Sequence, residues 1–115
     1  IAGQAKRLYF AGDTAYFAGF KEIGERLGPF DLAAVPIGAY MPSVIMQASH
    51  TTPEEALRGF TDARGQRFVA IHWGTFDLAE EPLEEPPQRL LAEARRLGLS
   101  LDDIWVLKHG ETRSW

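Results

Sequence analysis

Four short apolar runs separated by helix-patterned stretches constrain this chain more than any other feature. Arg7-Leu8-Tyr9-Phe10-Ala11, Phe68-Val69-Ala70-Ile71 and Ile104-Trp105-Val106-Leu107 read as strands, and Asp31-Leu32-Ala33-Ala34-Val35 as a strand buried on both faces and ended by Pro36. Between the first two, Phe20, Ile23, Gly24 and Leu27 recur at helical spacing with charged residues between them, which predicts a helix from about Ala18 to Leu27. Gly28-Pro29 then supply a stop.

A second helix opens at Thr52-Pro53-Glu54-Glu55, with Thr52 as N-cap, Pro53 at the first helical position and Glu55 as capping-box partner. Its apolar stripe is Ala56, Leu57, Phe60 and Ala63, and Gly65 lies just past its end. A loop rich in Glu and Pro, Glu80 to Pro87, leads to a third helix with Leu90, Leu91, Ala94 and Leu97 as its stripe and Gly98 as C-cap. The stretch from Ile37 to Thr51 reads as long and irregular, yet it is too apolar for a solvated linker and is expected to line or cover a pocket.

The order β-α-β-α-β-α-β predicts an α/β fold with parallel strands joined by helical crossovers. Right-handed crossovers in strands added in one direction place all three helices on one face. The strands are apolar on both sides, so the opposite face needs a cover from more of the same protein or from a second subunit. A reversing, doubly wound order would instead put helices on both faces, and the sequence leaves it open.

At 115 residues the chain has the size of one small domain, and 45% hydrophobic with 24% charged residues is near the globular average. The formal charge of −4 argues against a nucleic-acid partner. The absence of cysteine removes disulfides, thiolate metal sites and cysteine nucleophiles, and suits a cytoplasmic location. The chain opens at Ile1 with no signal region, and is expected to be a piece of a longer protein.

Parallel strands share one C-terminal edge, where open α/β proteins bind ligands. Asp13 follows the first strand, His72 the third and His109 the fourth, while His50 stands on the loop after the second. Asp13, with Thr14 able to hydrogen-bond one of its oxygens, suits a metal ion, a substrate hydroxyl or an ordinary turn cap. A histidine at a strand end equally suits a bond to a loop carbonyl. Trp73, Phe76 and Tyr40 suit a pocket wall or plain core, and the acidic turn around Glu84 and Glu85 reads as solvated.

Neither a Gly-x-Ser-x-Gly elbow nor a phosphate-cradling glycine loop occurs. Metal-dependent hydrolysis remains, because imidazole and carboxylate suit zinc or iron and a metal ion activates water without a serine or cysteine nucleophile. One Asp and one or two His are too few for a closed ligand set, so other ligands are expected elsewhere.

Six blocks in order carry a resemblance: Phe10-Ala11-Gly12-Asp13-Thr14, Gly28-Pro29-Phe30-Asp31-Leu32-Ala33, Pro36-Ile37-Gly38-Ala39-Tyr40, His50-Thr51-Thr52-Pro53-Glu54-Glu55-Ala56, Ile71-His72-Trp73-Gly74-Thr75-Phe76 and Leu107-Lys108-His109-Gly110-Glu111. Together they resemble the C-terminal half of metallo-β-lactamase-fold hydrolases. Within that superfamily they are most similar to the N-acylphosphatidylethanolamine-hydrolysing phospholipase D group and its bacterial relatives.

The resemblance implies an αββα sandwich in which residues 1–115 supply one sheet with its helices and an absent N-terminal half supplies the other. It also implies a two-ion site, usually zinc, with Asp13 as bridging carboxylate and His72 as the last histidine ligand. The His-x-His-x-Asp-His signature would lie upstream. His50 matches a position that handles substrate or leaving group, and His109 and Thr14 take supporting roles. The implied reaction is hydrolysis of a phosphodiester such as that of an N-acylated phospholipid, which would require peripheral membrane contact. A lactonase or other esterase of the same fold, and a non-catalytic flavodoxin-like module, are the alternatives.

Overall fold

The computed structural model describes residues 6–115. Its four strands, β1 (Leu8–Phe10), β2 (Leu32–Pro36), β3 (Phe68–Ile71) and β4 (Ile104–Trp105), form one parallel sheet in the order β1-β2-β3-β4. The order never reverses, so the doubly wound alternative does not apply. Crossovers are made by α1 (Gly19–Leu27), by α2 (Ser43–Met46) with α3 (Pro53–Asp62), and by α4 (Glu85–Arg96) followed by a 3₁₀ turn at Leu101–Asp103.

Register separates the two faces of the sheet. Tyr9, Ala33, Phe68 and Ile104 stand side by side across the four strands, and Val35 pairs with Ala70. These residues face the helices, where Ala56, Leu57 and Phe60 of α3 and Leu90 and Ala94 of α4 complete a buried core. The helix α3 lies between α1 and α4 and packs on β2, so the three long helices share one face as the crossover rule requires.

The opposite face carries Leu8, Phe10, Leu32, Ala34, Val69, Ile71 and Trp105. Phe10 is 62% exposed there, and Leu8, Val69 and Ile71 are half-buried. Trp105 is buried, with the guanidinium of Arg67 at 4.8 Å and that of Arg113 at 5.4 Å from its ring.

Capping chemistry fixes the helix ends. Thr52 Oγ1 accepts from the Glu55 amide while the Glu55 carboxylate accepts from the Thr52 amide, a complete capping box. At the end of α4, Gly98 has φ +71° and the Gly98 and Leu99 amides donate to the Arg95 and Ala94 carbonyls, a Schellman motif. The end of α3 has the same bonds, but there the left-handed residue is Arg64. Gly65 serves close packing, since a Cβ on it would stand 2.4 Å from the Phe60 ring.

Three expectations are corrected. The segment from Ile37 to Thr51 is not wholly irregular: α2 forms one turn in which the Ile45 and Met46 amides donate to the Pro42 carbonyl. The Glu-Pro loop ends at Glu84, because Glu85, Pro86 and Pro87 open α4, where proline is preorganised for the first turn. The first and last strands end at Phe10 and Trp105, short of Ala11 and Leu107, although the Ala11 amide still donates to the Ala34 carbonyl.

Candidate metal centre

The strand ends build the site. Just past β1, Gly12 has φ +70°, a left-handed turn open to glycine at no steric cost, and it places Asp13 above the sheet edge. Just past β3, His72 itself takes φ +58°. A side chain with a Cβ is strained there by about 1–3 kcal/mol, and such strain persists only where surrounding structure imposes it. The loop leaving β2 imposes it: a Cβ on Gly38 would lie 2.4 Å from the His72 carbonyl oxygen, so only glycine lets the two segments approach so closely.

His50 is set by a different device. The Ser49 and His50 amides donate to the Met46 carbonyl and close α2. The next residue, Thr51, is fully buried and donates its hydroxyl to the Pro36 carbonyl at 2.8 Å. The chain then enters the capping box of α3. The imidazole is thus held between a pinned residue and a helix end.

These three side chains converge. His50 Nδ1 lies 2.9 Å from Asp13 Oδ1, and His72 Nε2 lies 3.6 Å from the same oxygen. One ligand atom from each of Asp13, His50 and His72 falls within 4.8 Å of the others. The two imidazoles stack, with centroids 5.2 Å apart and planes at 26°. His50 Nδ1 is buried and has no aligned hydrogen-bond partner. Two nitrogens and a carboxylate oxygen aimed at common space, one of them buried without a proper donor or acceptor, fit a cation: ligands about 2.1 Å from one ion stand roughly 3–3.5 Å apart.

Of the residues singled out in the sequence, Asp13, His50 and His72 come together, whereas His109 and Thr14 do not join them. His109 Nε2 pairs with Thr75 Oγ1 at 3.2 Å, on the turn that carries His72. Thr14 does not bond Asp13; its hydroxyl donates to the Ala15 carbonyl at 2.8 Å.

A cavity of about 260 Å³ opens beside His72, walled by Trp73, Phe76, Leu83 and Pro86 among others. Its lining includes Glu81, which sequence reasoning missed, while Glu84 is exposed as the solvated reading expects. Glu81 is 9% exposed and accepts from the backbone amides of Ala39, Tyr40 and Met41. Glu85 is likewise engaged. It accepts from Tyr40 Oη at 2.7 Å and from Arg89, which also grips Glu54 through two nitrogens. Burial, and then the bond to Glu85, push the Tyr40 phenol well above its usual range. Tyr40 is therefore core, while Trp73 and Phe76 line the cavity.

Comparison with known proteins agrees with this geometry. The model of the β-lactamase superfamily domain matches residues 1–73. An N-acyl-phosphatidylethanolamine-hydrolyzing phospholipase D of Caenorhabditis elegans is 43% identical over 91% of this chain and 33% of its own length. A metal-dependent hydrolase of Rubrobacter xylanophilus is 37% identical over 91% of this chain and 38% of its own. Among solved structures, a metallo hydrolase from the archaeon Ignicoccus hospitalis superposes with a TM-score of 0.61 at 28% identity, over 90% of this chain and 39% of that one. The chain thus spans well under half the length of these relatives.

Proposed function

Because the chain belongs to the β-lactamase superfamily of metal-dependent hydrolases, we propose that Asp13 and His72 hold metal ions and that the complete protein cleaves a phosphodiester of an N-acylated phospholipid. The observation that carries this reading is the convergence of Asp13, His50 and His72 at the C-terminal edge of the sheet. The similarity to a phospholipase D supports the substrate class.

Imidazole and carboxylate together suit zinc, which supplies a Lewis acid and activates water near neutral pH. Asp13 would hold the ions through its carboxylate, with the His72 imidazole beside it. His50, beside Asp13 through Nδ1, holds a proton for the leaving-group oxygen at its other ring nitrogen, Nε2. The largely apolar cavity next to His72 receives an apolar part of the substrate. The remaining ligands and the cover of the opposite sheet face come from an N-terminal half of the same protein.

No described helix is long and apolar enough to cross a membrane. A lipid substrate requires surface contact, and Val44 and Ile45 on α2, 88% and 69% exposed, are suited to it. The stretch from Ile37 to Pro53 holds no Lys, Arg, Asp or Glu to oppose insertion.

Metal analysis with a substrate panel on the complete protein tests the reading. Stoichiometric divalent metal and turnover of an N-acylated phosphatidylethanolamine are expected. Turnover of lactones with none of the phosphodiester decides for the lactonase reading, and a metal-free protein without hydrolytic turnover overturns both.

A further inference from the structure

We propose that Glu81 is a positioning residue whose carboxylate latches together the two loops that carry His50 and His72, and so sets how tightly the cavity beside His72 holds its substrate. The part of this that concerns substrate rests on the hydrolase reading above; the latch itself does not.

Three observations carry it. First, the carboxylate is nearly buried yet hydrogen-bonded through both oxygens: Oε1 accepts from the Ala39 and Tyr40 amides and Oε2 from the Met41 amide at 2.9 Å. Successive backbone amides in such an array make an anion-binding nest, and a left-handed residue is what turns them inward. Ala39, at φ +64°, supplies that turn. Second, the Glu80 amide donates to the Met41 carbonyl, so the two chain segments are zipped at adjacent residues. Third, Glu81 lines the cavity together with His72, Gly38 and Trp73, and Gly38 touches the His72 backbone. The nest therefore sits where the loop leading to His50 meets the loop that follows His72.

Both carboxylate oxygens are engaged by backbone amides of the facing loop. The effect of Glu81 is geometric. A glutamine at this place keeps the length of the side chain but turns an NH₂ group toward one of the three donors, so at least one contact becomes donor against donor. The wall formed by residues 39–41 then loosens, while Asp13 stays at the end of β1 and His72 keeps its close approach to Gly38.

The test joins amide hydrogen exchange with kinetics on the complete protein, comparing wild type with Glu81→Gln. In wild type the Ala39, Tyr40 and Met41 amides are expected to exchange slowly. In Glu81→Gln they are expected to exchange at least tenfold faster with β2, β3 and α3 still protected, metal content unchanged, KM raised about tenfold and kcat within threefold. Exchange at these amides in wild type as fast as in an open loop overturns the proposal without any variant, which covers the case in which Glu81→Gln fails to fold. Unchanged exchange in the variant also overturns it, as does a fall in kcat at constant KM. If the wild type turns over no phosphodiester or ester at all, the hydrolase reading has failed, and the exchange pattern alone decides on the latch.

Discussion

His50 Nδ1 and His72 Nε2 stand 2.9 Å and 3.6 Å from one oxygen, Oδ1 of Asp13. Two imidazoles from separate loops thus face a single carboxylate atom, and His50 Nδ1 is buried there without an aligned hydrogen-bond partner. The three side chains differ in how firmly they are placed, and their variants should differ accordingly.

Asp13→Ala and His72→Ala are expected to lower bound metal to below half of wild type and to abolish turnover. His50→Gln is expected to keep its metal and lose kcat by at least a hundredfold, as fits general acid catalysis. Elemental analysis of the purified variants checks this. Metal lost from His50→Gln to the same degree would make His50 a ligand, which its orphaned Nδ1 also permits.

The backbone at His72 gives an independent expectation. With φ at +58°, a Cβ costs about 1–2 kcal/mol that glycine does not incur. After metal removal with a chelator, His72→Gly should therefore be more stable than His72→Ala by about 1 kcal/mol. Urea denaturation of the two variants measures the difference, and equal midpoints would mean that the left-handed geometry is not retained.

How much of this was legible beforehand depended on the range of the signal. The strands and the helix stripes follow from local apolar periodicity, and the α3 capping box could be read directly from Thr52, Pro53 and Glu55. The α/β class and the placing of Asp13 and His72 at one sheet edge follow from those elements, whereas the shared helical face depends on a strand order that only the structure decides. What escaped lies between loops. Nothing local marks Glu81 as an acid that folds back 40 residues onto three amides, because its nest depends on the left-handed backbone of Ala39, a residue with no such preference. The single turn α2 has no amphipathic period to announce it.

The Arg89 cluster ties α4 to α3. Burial is the largest single influence and raises the Glu54 carboxyl, but the bonds and charge of Arg89, the Glu54 backbone amide and the Thr52 hydroxyl together hold it below its usual value of 4.5. A carboxylate depressed on folding stabilises fully above its unfolded pKa and loses that contribution as pH falls through its folded pKa. Stability should therefore fall from about pH 4.5 downward, and Glu54→Gln should flatten that fall. Denaturation midpoints at pH 7 and pH 3 test it. An unchanged pH slope in Glu54→Gln would remove Glu54 from the account. Both partners are more than a third exposed, so the effect on the midpoint is expected to be modest.

Helix α3 carries the central share of the core, with Ala56 and Leu57 fully buried, so its start matters to everything packed on it. Replacing Thr52 by alanine removes the hydroxyl that accepts from the Glu55 amide and breaks the capping box. A loss of about 1 kcal/mol is expected. The neighbouring Thr51 should cost more. Its buried hydroxyl satisfies the Pro36 carbonyl at the end of β2, and Thr51→Val keeps the shape while leaving that carbonyl without its partner. Because His50 precedes it directly, Thr51→Val should also lower kcat while leaving metal content intact, if His50 handles the leaving group and does not ligate. Loss of stability without loss of kcat would show that His50 is held by the close of α2 and not by the anchor at Thr51.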